Sequence, residues 1–365
     1  MMHRILLFLG SLAISLPTMA TLPDSLRLTT DPPGVELGNR AKLTLNGYAQ
    51  THYELSNIGR DNETNDFQVK RVMLIGNAAV GKHLRAMVML DVAASRADRR
   101  LHEYFMQWNF CDELKLRIGQ YKQPFMLENI YIPTILGALN MTEGTRYMAG
   151  IYGDPLQTGM VGRDLGLMLT GEALPQKDGR RLLAYSLGIF NGAGLNQRDN
   201  NRAKDVIGMV QVFPIKGLQL TTSFILGRGH ALSSSPYGDV AAGQNYRRHR
   251  WSMGGEWKDK RLYLRSEYTL GWNANVKSRA FYAEAWYTLL PKLDIVANYD
   301  HLNRHTGLGK DERQALPTHT ISHNYTIGAQ FWIWRQCRVA TQFVYGHRDV
   351  GPDSREWITQ FQFAF

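Results

Sequence analysis

The run Arg355-Glu356-Trp357-Ile358-Thr359-Gln360-Phe361-Gln362-Phe363-Ala364-Phe365 decides how the sequence is read. Positions 357, 359, 361, 363 and 365 carry Trp, Thr, Phe, Phe and Phe, and the positions between them carry Ile, Gln, Gln and Ala. Successive side chains on a strand point to opposite faces, so this strand has one aromatic face and one polar or small face. A soluble sandwich would cover the aromatic face with a second layer, and the sequence ends before any residue supplies one. A strand that turns its aromatics to lipid and its glutamines to a wet lumen accounts for the pattern. The expectation is the closing strand of a transmembrane β-barrel.

Working back from this strand, period-two alternation recurs through most of the chain. Strands are expected over 41–54, 67–80, 84–93, 101–110, 114–122, 163–173, 181–190, 206–214, 218–227, 247–257, 262–272, 278–289, 293–302, 322–334 and 338–346, before the closing one. That makes about 16, an even number, which puts both ends of the barrel on one rim. Tight turns such as Gly81-Lys82-His83 and Pro291-Lys292 sit on that rim, and longer connections such as 56–66, 191–205, 228–246 and 303–319 sit on the other. The third long connection, 123–162, carries Pro124-Phe125-Met126-Leu127 and Ile130-Tyr131-Ile132, with Glu128, Glu143, Arg146, Tyr147 and Tyr152. So apolar a stretch is poorly suited to water. It is expected to fold into the lumen as a constriction; the alternative is a loop packed over the mouth.

The chain has 365 residues, and no composition shift after residue 40 divides it. The expected organisation is a secretory signal over 1–20, a lead-in over 21–40 and one all-β, antiparallel up-and-down barrel over 41–365. The signal has His3 and Arg4 as its basic start, an apolar run over 5–14 and a small residue, Ala20, at its end. No later run reaches the ~18 apolar residues of a membrane helix. The formal charge is +10, and removing residues 1–20 takes away only Arg4, leaving +9. An anionic partner follows. Nucleic acid is disfavoured by the signal and by the lack of any nucleic-acid motif, which leaves anionic solutes and lipopolysaccharide. No metal-ligand spacing appears and no cofactor is required. Cys111 and Cys337 fall in turns about six strands apart, at roughly 5 Å per strand, beyond the ~7 Å reach of a disulfide. Two free thiols are expected.

The apolar set of each strand fixes which side faces lipid, because a charge there costs ~2–4 kcal/mol near the midplane. Leu114, Leu116 and Ile118 face out, so Lys115, Arg117 and Tyr121 face in. By the same rule Arg71, Asn77, Arg85, Asp91, Arg248, Arg250, Glu256, Arg265 and Glu267 face the lumen. Such arginines would attract anions, and their planar forks suit phosphate and carboxylate oxygens. Glu103 and Glu284 share the lumen and would temper that field; the alternative is a mixed-charge lumen of weak selectivity. Tyr104, Trp108, Phe110, Trp257, Tyr299, Phe331, Trp334 and Phe343 fit aromatic girdles.

Leu116-Arg117-Ile118-Gly119-Gln120-Tyr121-Lys122-Gln123-Pro124-Phe125, with Glu128 after it, resembles the phosphate-selective porin O and P family. So do Leu187-Gly188-Ile189-Phe190-Asn191-Gly192-Ala193-Gly194 and Arg163-Asp164-Leu165-Gly166. The resemblance covers about residues 40–365. It implies a 16-stranded homotrimeric porin in the bacterial outer membrane, with an inward third loop and an Arg/Lys-lined path for anions such as phosphate. The chain departs from the family in one respect: Arg146 is the only Lys or Arg between Gln123 and Gly162.

Three readings compete. The first is a passive porin favouring anions, or a weakly selective general or oligosaccharide-type porin. The second is a barrel enzyme, for which the scattered histidines and the lack of a Gly-x-Ser-x-Gly run give little support. The third is a structural barrel with a filled lumen. Inward glycines such as Gly119, Gly166 and Gly328 favour open space instead.

Overall fold

A computed structural model describes residues 34–37, 41–151, 156, 162–316 and 320–365. The expected signal, most of the lead-in, and Tyr152 lie outside the described residues. Sixteen strands follow a short β1 (Gly34–Leu37): β2 (Ala41–Ser56), β3 (Thr64–Val80), β4 (Leu84–Asp91), β5 (Leu101–Asn109), β6 (Lys115–Lys122), β7 (Arg163–Pro175), β8 (Arg181–Phe190) and β9 (Asp205–Val212). Then come β10 (Leu218–His230), β11 (Asn245–Lys258), β12 (Leu262–Asn273), β13 (Val276–Leu290), β14 (Leu293–Asn303), β15 (Ser322–Trp334), β16 (Cys337–Arg348) and β17 (Ser354–Ala364). Each pairs antiparallel with the next, and β17 pairs with β2, so the sheet closes into an up-and-down barrel of the transmembrane type. Closure removes every sheet edge, the only way strands can cross lipid with their backbone satisfied. No helix among the described residues is long and apolar enough to cross a membrane.

The closing strand behaves as its alternation requires. Trp357, Phe361, Phe363 and Phe365 are exposed on the outside, while Ile358, Gln360 and Gln362 are buried inside. Gln360 meets His52 at 2.8 Å, and Gln50 donates to Gln362 at 2.8 Å, both across the β17–β2 seam. β1 pairs with Leu43 and Thr44 of β2, just past the point where Phe365 ends the other partner.

Two departures from strict alternation matter. On β3, Gln50 pairs with Arg71 but Thr51 pairs with Val69, so Lys70 is an extra residue in a β-bulge. The apolar row shifts accordingly, from Phe67 and Val69 to Val72 and Leu74, and both Lys70 and Arg71 turn inward. On β5, Met89 pairs with Glu103 and Leu90 with Leu101, so His102 is the extra residue and both His102 and Glu103 are buried inside. The rims also differ slightly from expectation. One connection on the long-loop rim, between β12 and β13, is only Ala274-Asn275. Ala274 takes a φ of 48°, the left-handed backbone that so short a reversal needs. Cys111 is exposed, Cys337 is buried, and both are free thiols.

Candidate functional site

The long third connection folds into the barrel. Its first turn, α1 (Leu127–Ile130), is wholly buried, and a second short helix, α2 (Glu143–Met148), packs on β13 and β14. A non-strand segment inside a barrel needs partners for its backbone groups, and the wall supplies them. Glu284 accepts the Ala138 N–H at 2.8 Å. Gln342 accepts from Leu139 N at 3.0 Å and donates to Gly137 O at 2.7 Å. Arg338 donates to Leu136 O at 2.8 Å, and Gln362 to Thr134 O at 3.2 Å. Tyr131 OH donates to Glu256 at 2.8 Å. The loop is therefore bound to β11–β13, β16 and β17, and its alternative place over the mouth is excluded for these residues.

This path separates the charges of the lumen. The acids of the covered half, Glu256, Glu267 and Glu284, are withdrawn from water, each hydrogen-bonded to the loop. The basic groups split into two sets. Arg248, Arg250 and Arg265 point inward as expected, but all three are buried. Arg248 forms an ion pair with Asp205 and donates to Gly192 O at 3.1 Å. Arg250 donates to His249 O, Trp272 O and Asn273 Oδ1 at 2.8–3.1 Å. Arg265 pairs with Glu284 at 2.8 Å and lies 5.5 Å from the ring of Tyr131.

Arg71, Arg85, Lys115 and Arg117 are different. They stand half-buried on β3, β4 and β6. Arg117 donates to Gln107 Oε1 at 2.6–2.9 Å, and Lys115 lies 3.5 Å from Glu172 near the short-turn rim. Arg71 hydrogen-bonds Tyr48 and is an electrostatic neighbour of Lys122, as is Arg163. Lys122 reaches Tyr131 O at 2.5 Å, and Arg163 holds Glu103 at 2.8 Å. Lys70 spans to Asn140 of the loop at 2.9 Å, with half-buried Arg146 as an electrostatic neighbour. Lys70, Arg71, Lys122 and Arg163 thus stand near one another on the inner wall, with Glu54, Glu356 and Glu103 as carboxylate neighbours.

The loop residues have structural tasks. Glu128 is fully buried and accepts Thr142 Oγ1 at 2.6 Å and Thr142 N at 3.2 Å, closing the loop on itself. Glu143 pairs with Arg348 at 3.0 Å, and Tyr147 is buried with the Arg304 guanidinium 5.4 Å from its ring. The quoted motif residues also build the fold. A Cβ on Gly119, whose φ is 138°, would stand 2.2 Å from Tyr104 O. Gln120 donates to Leu101 O and His102 O, both at 3.2 Å. Asp164 accepts Gly192 N at 2.5 Å.

Sequence reasoning missed Lys70 and Lys122 as lumen groups. The signal for Lys70 was present: the apolar row changes parity between Val69 and Val72.

No family model matches the sequence, and no curated protein matches it. The fold does have solved relatives in shape. An anion-selective porin from Comamonas acidovorans superposes with a TM-score of 0.65 at 10% identity, over 89% of this chain and 100% of that one. OprB of Pseudomonas putida gives 0.62 at 11% identity, over 89% and 94%. The trimer form of in-vitro folded OmpT, an outer membrane protein of Vibrio cholerae, gives 0.59 at 15%, over 88% and 99%. At these identities the likeness is one of fold: this chain has the barrel architecture of outer-membrane porins.

Proposed function

We propose that this protein is an outer-membrane porin through which small solutes diffuse passively, with anions favoured over cations and phosphate among those admitted. One observation carries the reading: the inward loop takes up the wall acids Glu256, Glu267 and Glu284 in hydrogen bonds, while Arg71, Arg85 and Arg117 stay half-buried on β3, β4 and β6. A channel is selective by the charges its water can feel. Here Glu256, Glu267 and Glu284 are stapled under the loop, while Lys70, Arg71, Lys122 and Arg117 remain half-buried on the inner wall. Guanidinium groups offer two parallel donors to phosphate or carboxylate oxygens.

The shared fold with an anion-selective porin supports this reading, as does the resemblance to the phosphate-selective porin O and P family. On the same grounds the chain is exported on a cleaved signal and spans the outer membrane among lipid and lipopolysaccharide. Its long loops face outward, and the trimeric solved relative supports a homotrimer. The reading makes the protein a channel and not an enzyme.

The test is a planar bilayer recording under a KCl gradient. A reversal potential on the chloride side, with current reduced by added phosphate, is expected. Arg71→Ala combined with Arg117→Ala should weaken both effects. A cation preference or no preference would leave a general pore.

A further inference from the structure

The outer surface of the wall is not uniform where it meets the long-loop rim. Exposed Arg228, Arg247, Lys277 and Arg279 point outward at those ends of β10, β11 and β13. His301, His323 and His347 continue as one row across β14, β15 and β16. Among the described residues, the outward rows of β10–β16 hold no Asp or Glu. At the same ends of β3, β4, β8 and β9 the exposed outward residues are Phe67, Leu90, Ile189 and Val206. Cations therefore collar one side of the barrel only.

Several of these groups lack a protein counterion. Arg279 is an electrostatic neighbour of His301, and neither Arg279 nor Lys277 forms an ion pair among the described residues. The rings of His301 and His323 lie 4.7 Å apart, and Tyr299 OH meets His323 Nδ1 at 2.9 Å. The acids nearby are engaged: Asp353 on His347, and Asp349 on Arg313.

Directly below this level the wall is hollow. Gly255, Ser266 and Ala283 share one rung, and Ala285 and Ala297 share the next. Between the bulky flanks Leu220 and Trp257 on one side and Tyr325 and Ile327 on the other, these small residues leave an apolar groove of about 740 Å³. Tyr299 and Tyr325 form its upper wall, one rung below His301 and His323. A bilayer gives apolar surfaces no hydrophobic drive to associate, so shape decides what lies there: an unfilled hollow forfeits dispersion contacts. An acyl chain fits such a groove, and the tyrosines sit where an aromatic belt meets headgroups.

We infer, resting on the outer-membrane placement above, that the outer face of β10–β15 is a binding site for lipopolysaccharide. One acyl chain lies along Gly255, Ala283 and Ala297, and the phosphates of the acylated sugar take charge-assisted hydrogen bonds from Arg279 and Lys277, with His301 and His323 beside them. The charge complementarity selects the occupant. From Arg228 on β10 to His301 on β14 the collar spans roughly 20 Å at ~5 Å per strand, which suits a headgroup with two phosphates better than a phospholipid with one.

The test uses the mature chain refolded in detergent from its denatured state, so that it brings no lipid with it, and native mass spectrometry with EDTA present to prevent bridging by divalent cations. Diphosphorylated lipid A, its dephosphorylated form and phosphatidylglycerol are titrated in turn. Lipid A should bind best, and loss of its phosphates should weaken it about tenfold or more, the factor of one hydrogen bond to a charged group. Arg279→Ala with Lys277→Ala should weaken lipid A by a similar factor, and Arg355→Ala, on β17, should not. Ala283→Leu with Ala297→Leu fills the groove and should weaken lipid A without changing the oligomeric state. If that pair does not fold, the Arg279 and Lys277 variant decides alone. Equal binding of lipid A and phosphatidylglycerol, or unchanged binding in the Arg279 and Lys277 variant, overturns the inference. Dissociation of the oligomer by the groove variant also overturns it, because a second copy of the chain would then cover this face. None of these outcomes touches the anion preference measured in a bilayer, whose absence would overturn the proposed function alone.

Discussion

Glu267 on β12 receives the backbone N–H of Leu127 through both carboxylate oxygens, at 3.2 and 3.0 Å. Ser252 and Tyr282 donate to the same carboxylate at 2.8 and 3.1 Å. One wall acid thus fixes the first turn of the inward loop from behind. Glu267→Ala leaves a buried N–H and two hydroxyls without that acceptor, at about 1–3 kcal/mol for each unsatisfied group. The loop should loosen, single-channel conductance should rise and current noise should increase. Glu267→Gln, which keeps an acceptor, should lie between. Unchanged conductance in Glu267→Ala would mean that the contacts of Ala138 and Leu139 hold the loop unaided.

The bulge on β3 gives the second prediction. Lys70 and Arg71 are the two basic groups that it brings inward together. Lys70→Glu with Arg71→Glu should move the reversal potential in a KCl gradient toward the potassium side. Arg248→Ala should act differently. Its ion pair with Asp205 is buried, with 5% and 1% of the two side chains exposed, and removing one partner of such a pair costs ~3–5 kcal/mol. Arg248→Ala should therefore lower the yield of folded barrel and leave selectivity intact in the fraction that folds.

These two groups also mark how far the sequence could be read. The sixteen strands were legible because a lipid-facing row tolerates almost nothing but apolar side chains, and Trp357 to Phe365 state that rule most clearly. The inward direction of Arg248, Arg250 and Arg265 was legible for the same reason. That they are buried was not, because the residues that cover them arrive from elsewhere in the chain: Asp205 over Arg248, Tyr131 over Arg265. The bulges were half legible. A parity change between Val69 and Val72 is visible once sought, but period-two counting steps over it, and so passes over Lys70. The regular spacing of tight turns predicted the rims, and the two-residue Ala274-Asn275 link escaped because nothing in its composition marks a reversal that short.

Outside the membrane-spanning strands, the link between β16 and β17 has a pH-dependent anchor. Asp353 accepts Tyr345 OH at 2.6 Å, His347 Nδ1 at 2.9 Å and Arg348 N at 3.3 Å. The Tyr345 hydroxyl first, and His347 second, hold its carboxyl down at about 2, against an ordinary 3.8. A depressed carboxylate favours the folded link above the ordinary value and loses that effect as pH falls through the folded one. The link should stay anchored down to about pH 4 and release between there and about pH 2. Site-resolved NMR titration of Asp353 checks the value, and in Tyr345→Phe it should rise toward the ordinary one. An unchanged titration in that variant would remove Tyr345 as the main cause.

The last prediction concerns the seam where the first barrel strand meets the last. Gly47 N donates to Phe365 O and Phe365 N to Gly47 O, both at 3.0 Å. A Cβ at Gly47 would stand 2.3 Å from Met73 O on one side and 2.8 Å from the Phe365 ring on the other. The glycine therefore lets β2 approach β3 closely while the terminal ring lies over it on the lipid side. Gly47→Ala forces the backbone or the ring to move, at a cost on the order of 1–3 kcal/mol for overpacking, and Gly47→Val should cost more. Because the strain falls on the contact that closes the sheet, closure should suffer before any other step. Refolding into lipid, read as heat-modifiable migration on a denaturing gel, should slow in Gly47→Ala and largely fail in Gly47→Val. Gly76 on β3 is the matched control, since a Cβ there meets nothing within 4 Å, and Gly76→Ala should fold as well as the parent. Equal folding of the Gly47 and Gly76 variants would mean that the seam tolerates a wider approach than its geometry implies.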